Sequence, residues 1–416
     1  MTPAARHQAA IEVLEAWAAG GDGLDRVLAA WGRAHRFAGS GDRHAIADIV
    51  YGTLRRARAL QWLGGGDDPG SGLERFEPRT AVLAGAVMAG WAPEDIAGAG
   101  RHAPRPLSAA EAEALSGLTA ESAAARLEEA AAGLRYSLPD WVADALAGVA
   151  PPALAALGER APVDLRVNRL KTTPAAAAEA LEAEGVSTIP GPLGADCLRV
   201  QAGARRVAGS AAYREGLVEL QDAASQAVAA FAGACAGETV LDYCAGGGGK
   251  TLALAAAMGG PAAGGGRLLA HDAAPRRMAD LAPRAARAGA RVETVARAAL
   301  DGFAGACDLV LTDVPCSGSG AWRRNPDARW RFSPAALARL NAEQDAILDH
   351  AATLVKPGGR LVYATCSILP AENAARAEAF LARMPGFRPS DRGAFETSPD
   401  PALGDGFFAI TLLKLP

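Results

Sequence analysis

From residue 239 onward one pattern repeats: a short apolar run, a turn, then a longer stretch with helical spacing. Thr239-Val240-Leu241-Asp242-Tyr243 reads as a buried strand, Ala245 to Gly249 as a glycine loop and Lys250 to Met258 as a helix. Arg267 to His271 is the next strand, ending at Asp272. Residues 275–288 read as helix, 308–313 as strand, 335–355 as helix, 360–365 as strand, and Gly406 to Leu415 as a closing strand. Strands that alternate with helices cannot close as hairpins, so they lie parallel with the helices crossing their faces. The fold class is therefore α/β, built on a parallel, doubly wound sheet. Such sheets bind ligands in the crevice outside the carboxyl ends of their strands.

The chain before that point has a different character. Ile11, Leu14 and Ala18, then Ile46, Ile49, Val50 and Leu54, recur at helical spacing. Arg33, Arg36, Arg43, Arg55, Arg56 and Arg58 fall on the other faces, as a solvated surface or an RNA-facing patch. Residues 64–70 are a loop by their turn residues, and more helix follows. These observations divide the chain into a helical domain at 1–118, a helical linker at 119–160, a small α/β module at 161–220 and the doubly wound domain at 221–416. Ser137 and Pro139 suit a helix start in the linker, Val163 to Asn168 alternates like a strand, and 264–266 is a glycine surface loop.

Composition narrows the partners and the compartment. A net charge of −4 gives no global nucleic-acid signature, so a polyanion must meet a local basic patch. The six cysteines include no CxxC pair, which argues against a zinc site and a disulfide framework and suits a reducing cytosol. Glu12 and Glu15 interrupt any signal-like apolar run, and no run is long enough for a membrane span. The expectation is a cytoplasmic monomer with no membrane association and no metal.

The chemistry gathers at the strand ends. Cys244-Ala245-Gly246-Gly247-Gly248-Gly249-Lys250-Thr251 lets backbone approach a ligand and opens a helix whose N-terminus favours anions. It ends like a P-loop, but the first glycine of that motif would fall on Cys244. Asp272 closes the next strand, where an acid can accept both hydroxyls of a ribose or simply cap a helix. The glycines do not follow the dinucleotide spacing, since Thr251 stands where the last one is needed. Loop and acid together indicate a nucleoside cofactor, with S-adenosylmethionine ahead of NAD.

Asp313-Val314-Pro315-Cys316 and Thr365-Cys366-Ser367 each follow a strand. Carbon 5 of a pyrimidine is a poor nucleophile until a thiolate adds at carbon 6, and Asp313 could bind the ring nitrogen N3 or the exocyclic amine during that addition. Either cysteine alone is compatible with simple burial; the pair beside a glycine loop points to covalent chemistry. Trp322 to Arg331 carries four Arg against one Asp with interleaved Trp, which suits phosphate contact and base stacking or a salt-bridged surface loop.

On these residues the chain resembles the RNA 5-methylcytosine methyltransferases of the RsmB/NSUN family. The resemblance rests on Leu241 to Thr251, Asp272 to Arg277, Leu311 to Asp327 and Lys356 to Asn373, and extends upstream through Leu165 to Asn168 and Gly216 to Gln226. Residues 6–63 resemble the NusB-type RNA-binding domain found in bacterial members. The resemblance implies a class I S-adenosylmethionine methyltransferase sheet, preceded by an RRM-like module and the NusB-like domain. It implies Cys366 as the nucleophile at carbon 6, Cys316 as the thiol assisting release, and Asp313 as the residue holding cytosine. Cys244, Ala245, Gly246, Gly247, Gly248, Gly249, Lys250, Asp272, Arg277 and Asp313 would form the cofactor site, with Lys250 also near the base. Arg166, Asn168, Arg323, Arg324 and Asn325 are expected to contact RNA, most simply small-subunit ribosomal RNA. The rivals are the same chemistry on transfer RNA and a non-catalytic RNA-binding assembly factor. Two departures stand out: Gly247 where the family has proline, and no acid between Thr294 and Ala299, where the family has an aspartate near the adenine.

Overall fold

The computed structural model describes residues 1–260 and 266–416, so the glycine run at 264–266 falls largely outside the described residues. The chain divides into two compact units, Met1–Arg160 with Trp322–Phe332, and Ala161–Ala321 with Ser333–Pro416.

The first unit is helical. Thr2 caps the helix Pro3–Ala19 by accepting from the Ala5 N–H, and Pro3 occupies the first turn, where its missing N–H costs nothing. Ile11, Leu14 and Trp17 of that helix pack with Ile46, Val50 and Leu54 of the helix Ser40–Arg55. The arginines at 55, 56 and 58 do not form a common outer face. Arg58 is buried and forked between Asp68 and Asp140, each at 2.7 Å, which is how a guanidinium survives in a core.

The segment Trp322–Phe332 belongs to this helical unit, and its composition misleads. Trp330 is buried in the same core and donates to the Leu54 carbonyl at 3.1 Å. Arg329 is fully buried and donates to the carbonyls of Arg55 (3.1 Å), Ser137 (2.9 Å) and Leu157 (2.9 Å). Arg55 and Leu157 lie at helix C-termini, whose negative ends offset the guanidinium charge. Arginine interleaved with tryptophan therefore ties helices together here rather than presenting a stacking surface.

The second unit holds two sheets. In the smaller, β1 (Asp164–Val167), β2 (Ser187–Pro190), β3 (Cys197–Ala202) and β4 (Val218–Leu220) run in the order β2-β3-β1-β4, all antiparallel. The helix Pro174–Glu182 covers it through Ala177 and Leu181 against Leu165, Val167 and Leu198.

The larger sheet comprises β5 (Thr239–Asp242), β6 (Arg267–Ala270), β7 (Glu293–Thr294), β8 (Cys307–Asp313), β9 (Val355–Thr365), β10 (Phe387–Thr397) and β11 (Phe407–Lys414). The order is β10-β11-β9-β8-β5-β6-β7, with β5 to β9 parallel and β10 and β11 antiparallel. Side chains alternate between faces. Leu241, Val310 and Leu361 meet the helices Pro334–Leu354 and Ala374–Arg383, while Val240, Leu309 and Val362 meet Ala223–Ala232 and Gly249–Ala257. Helices on both faces make the sheet doubly wound. The direction of winding reverses beside β5, since β6 lies on one side and β8 on the other, and that reversal opens the crevice at the strand ends.

Candidate active site

Four strand ends build the site. After β5 the chain turns through Gly246 (φ +51°) and Gly248 (φ +85°), a region side chains avoid. A Cβ on Gly248 would stand 2.3 Å from Leu281 Cδ1, so the turn can be held this close to its neighbours by glycine alone. After β6, Asp272 is buried, and its carboxylate accepts from the N–H groups of Gly246 and Ala274, both at 2.9 Å, and pairs with Arg277 at 3.1 Å. It thus braces the glycine loop while retaining acceptor capacity for a ligand hydroxyl.

Beneath the loop, Asp242 is fully buried and accepts from Thr251 Oγ1 at 2.7 Å, while its Oδ1 has no partner among the described residues. Burial, with help from Asp313 and Asp272, pushes its carboxyl up to about 7 against the Thr251 bond and Lys250. Lys250 pairs with Asp313 at 2.8 Å. Burial opposes the lysine's charge, but Asp313, Cys366 and Asp242 outweigh it and hold its pKa above the ordinary value. Burial, then the nearby carboxylates, lifts Cys244 well above the usual thiol range, so that thiol stays neutral.

After β8 and β9 come the two thiols. Their Sγ atoms lie 3.3 Å apart, both partly accessible. The hydrogen bond to Cys366, then burial, then the Cys366 and Glu372 charges push the Cys316 thiol well up, against a Gly318 N–H that favours the thiolate. Cys316 thus favours its neutral form, in hydrogen-bond contact with the Cys366 sulfur.

Glu372 organises this region, and the sequence reading did not single it out. It is fully buried, takes the Ser317 N–H at 2.8 Å and the hydroxyls of Ser317 and Ser367, and receives Gln344 Nε2 at 3.1 Å. Ser317 follows Cys316 and Ser367 follows Cys366, so one carboxylate holds both thiol loops. The one available signal was its place in the KPGGRLVYATCSILPAEN segment; an acid six residues past Cys366 otherwise reads as surface.

The residues expected to meet RNA separate into two groups. Arg166 is buried with Nε on Gln221 at 2.7 Å, and Asn168 Nδ2 donates to the carbonyls of Gly216 and Ala288, both at 2.8 Å. Arg323 is fully buried. Arg166 and Asn168 are thus buried and bonded inside the chain, whereas Arg324 and Asn325 are exposed. Among the described residues, none from 294 to 299, at the end of β7 and beyond it, is acidic, and the next acid, Asp301, is exposed and bonds His350 at 3.1 Å. Among the described residues, no helix is long and apolar enough to cross a membrane.

With this geometry in place, likenesses to known proteins become informative. Residues 233–409 match a family described as 16S rRNA methyltransferase RsmB/F, and residues 138–205 match an RsmF/B-like ferredoxin-like domain. The ribosomal RNA small subunit methyltransferase B of Salmonella arizonae is 35% identical over 69% of this chain and 68% of its own. A protein named as probable ribosomal RNA small subunit methyltransferase B from Synechocystis is 33% identical over 82% of this chain and 81% of its own. The solved structure of a methyltransferase homologue from Pyrococcus horikoshii shares the fold, with a TM-score of 0.59 at 23% identity over 68% of this chain and 97% of that one.

Proposed function

This chain belongs to the RsmB/F family of 16S rRNA methyltransferases, and from that premise we propose that it methylates carbon 5 of a cytosine in small-subunit ribosomal RNA through a transient bond from Cys366 to carbon 6. S-adenosylmethionine is the cofactor, and when bound it supplies an electrophilic methyl group on a sulfonium. The residues present suit it. Asp272 has acceptor capacity left for a hydroxyl, the glycine loop admits close approach, and the carboxylates of Asp272 and Asp313 close the strands on either side of β5, which suits a cationic ligand. Cys244 to Lys250, Asp272, Arg277 and Asp313 form the proposed cofactor site.

One observation carries the reading: two thiols in contact, with Asp313 and Lys250 at the same sheet edge. Cys366 adds its sulfur to carbon 6, and the electron pair of the ring double bond moves to carbon 5. Asp313, held by Lys250, receives the exocyclic amine N–H and orients the ring. Once carbon 5 carries the methyl group it gives its proton to solvent water, the pair of that C–H bond restores the double bond between carbons 5 and 6, and the bond from carbon 6 to sulfur breaks with its pair returning to Cys366. Cys316, hydrogen bonded to that sulfur, stabilises it as it leaves. Arg324 and Asn325 offer exposed polar groups for RNA, whereas Arg166, Asn168 and Arg323 are buried. A target cytosine within a duplex must first be extruded from its stack.

The test is methyl transfer from labelled S-adenosylmethionine to protein-free small-subunit ribosomal RNA, followed by digestion to nucleosides. Label in 5-methylcytidine is the expected result. Label on another nucleoside, or on transfer RNA alone, overturns the product or the substrate respectively.

A further inference from the structure

Four consecutive glycines, Gly246 to Gly249, are a poor way to hold a binding loop still, because each adds backbone freedom. Gly246 and Gly248 are required by their positive φ; Gly247 is not in that region. At Gly247 the restraint comes from outside the loop. The Arg284 guanidinium, on the helix Leu281–Ala288, donates Nη1 to the Gly247 carbonyl and Nη2 to Glu219 Oε2 at 2.9 Å. Glu219 is buried, and its other oxygen is taken by Arg287, whose guanidinium lies 4.5 Å over the Tyr213 ring. Glu219 stands on β4, paired in register with Arg166 on β1. The small antiparallel sheet therefore reaches the glycine loop through one carboxylate and one guanidinium.

We propose that Arg284, oriented by Glu219, is a positioning residue that fixes the glycine loop for cofactor binding, doing from outside what a rigid residue at 247 does from within. The proposal rests on the glycine loop being the cofactor site. Arg284 is suited to the task because its planar fork can grip two acceptors at once, whereas lysine cannot do so in one geometry. Its surroundings also favour it: Arg287 already balances part of the Glu219 charge, so one Arg284 nitrogen is free to hold the loop.

The experiment is calorimetric titration of S-adenosylhomocysteine into the full-length protein, with thermal unfolding to establish that each variant is folded. Arg284→Met is expected to weaken binding about tenfold, the size of one charge-assisted hydrogen bond. The KM for S-adenosylmethionine should rise by a larger factor than kcat falls. Arg284→Lys, which keeps the charge beside Glu219, should fold like the parent and show an intermediate loss. Adding Gly247→Pro to Arg284→Met should recover much of the affinity, because proline restricts the same backbone and the Gly247 N–H has no partner among the described residues. Unchanged affinity in both Arg284 variants overturns the proposal, as does a loss that tracks only the melting temperature and is not rescued at 247. If the parent protein itself binds no S-adenosylhomocysteine, the cofactor reading of the loop falls, and this proposal with it.

Discussion

The Sγ atoms of Cys316 and Cys366 stand 3.3 Å apart, one past each of two adjacent parallel strands. The proposed roles, Cys366 as nucleophile and Cys316 as the thiol assisting release, predict different outcomes for the two single variants. Cys316→Ala should still attack RNA yet release it slowly, so a covalent protein–RNA adduct should accumulate on a denaturing gel. Cys366→Ala should form no adduct and transfer no methyl group. The reverse pattern would exchange the two roles.

Glu372 sits beneath both thiol loops with donors from Ser317, Ser367 and Gln344. Removing a buried acceptor strands its neutral donors, at about 1–3 kcal/mol for each one left unsatisfied. Glu372→Ala should therefore lower the melting temperature and reduce methyl transfer at least about tenfold, a rate effect of about 1.4 kcal/mol. Glu372→Gln, which keeps one acceptor and the volume, should lose less of both. Full activity in Glu372→Ala would show that the thiol loops hold their spacing without it.

How much of this was legible beforehand depended on whether local pattern decides the structure. The strands at 239–242, 307–313 and 355–365 were visible in the main because their apolar runs end at turn or functional residues. β10 was missed because Arg388, Ser390, Asp391 and Arg392 give an edge strand no apolar alternation. β7 is too short to show a period. Cys316, Cys366 and Asp313 were legible because their chemistry is rare at strand ends. Glu372 and Arg329 were not, since their burial comes from segments distant in sequence converging on one point, and charged residues normally read as surface.

Arg329 gives a test confined to the helical unit. Burial, then the like charge of Arg55, pushes its guanidinium down to about 9, yet three backbone carbonyls hold it in place. Arg329→Met fills the space but leaves those carbonyls dry, at a cost of roughly 2–4 kcal/mol. Thermal unfolding should show a lower transition, and limited proteolysis should cut first within residues 1–160. An unchanged melting temperature would mean that the carbonyls find other donors.

Asp242 links stability to pH. Its carboxyl is raised by burial to about 7 from an ordinary 3.8, with Asp313 and Asp272 adding to the shift and Thr251 and Lys250 opposing it. Below about pH 4 both folded and unfolded chains hold the proton, and this group takes nothing from stability. Between about pH 4 and 7 the unfolded chain releases the proton while the folded one keeps it, so stability falls as pH rises; above about 7 the loss is complete. Asp242→Asn retains an acceptor for the Thr251 hydroxyl and removes the titration. Melting temperatures of the parent and the variant, taken from pH 5 to 8, should therefore diverge in the variant's favour with rising pH. Parallel profiles would mean that Asp242 ionises in the folded protein as easily as in the unfolded chain, with Lys250 as the group best placed to allow it.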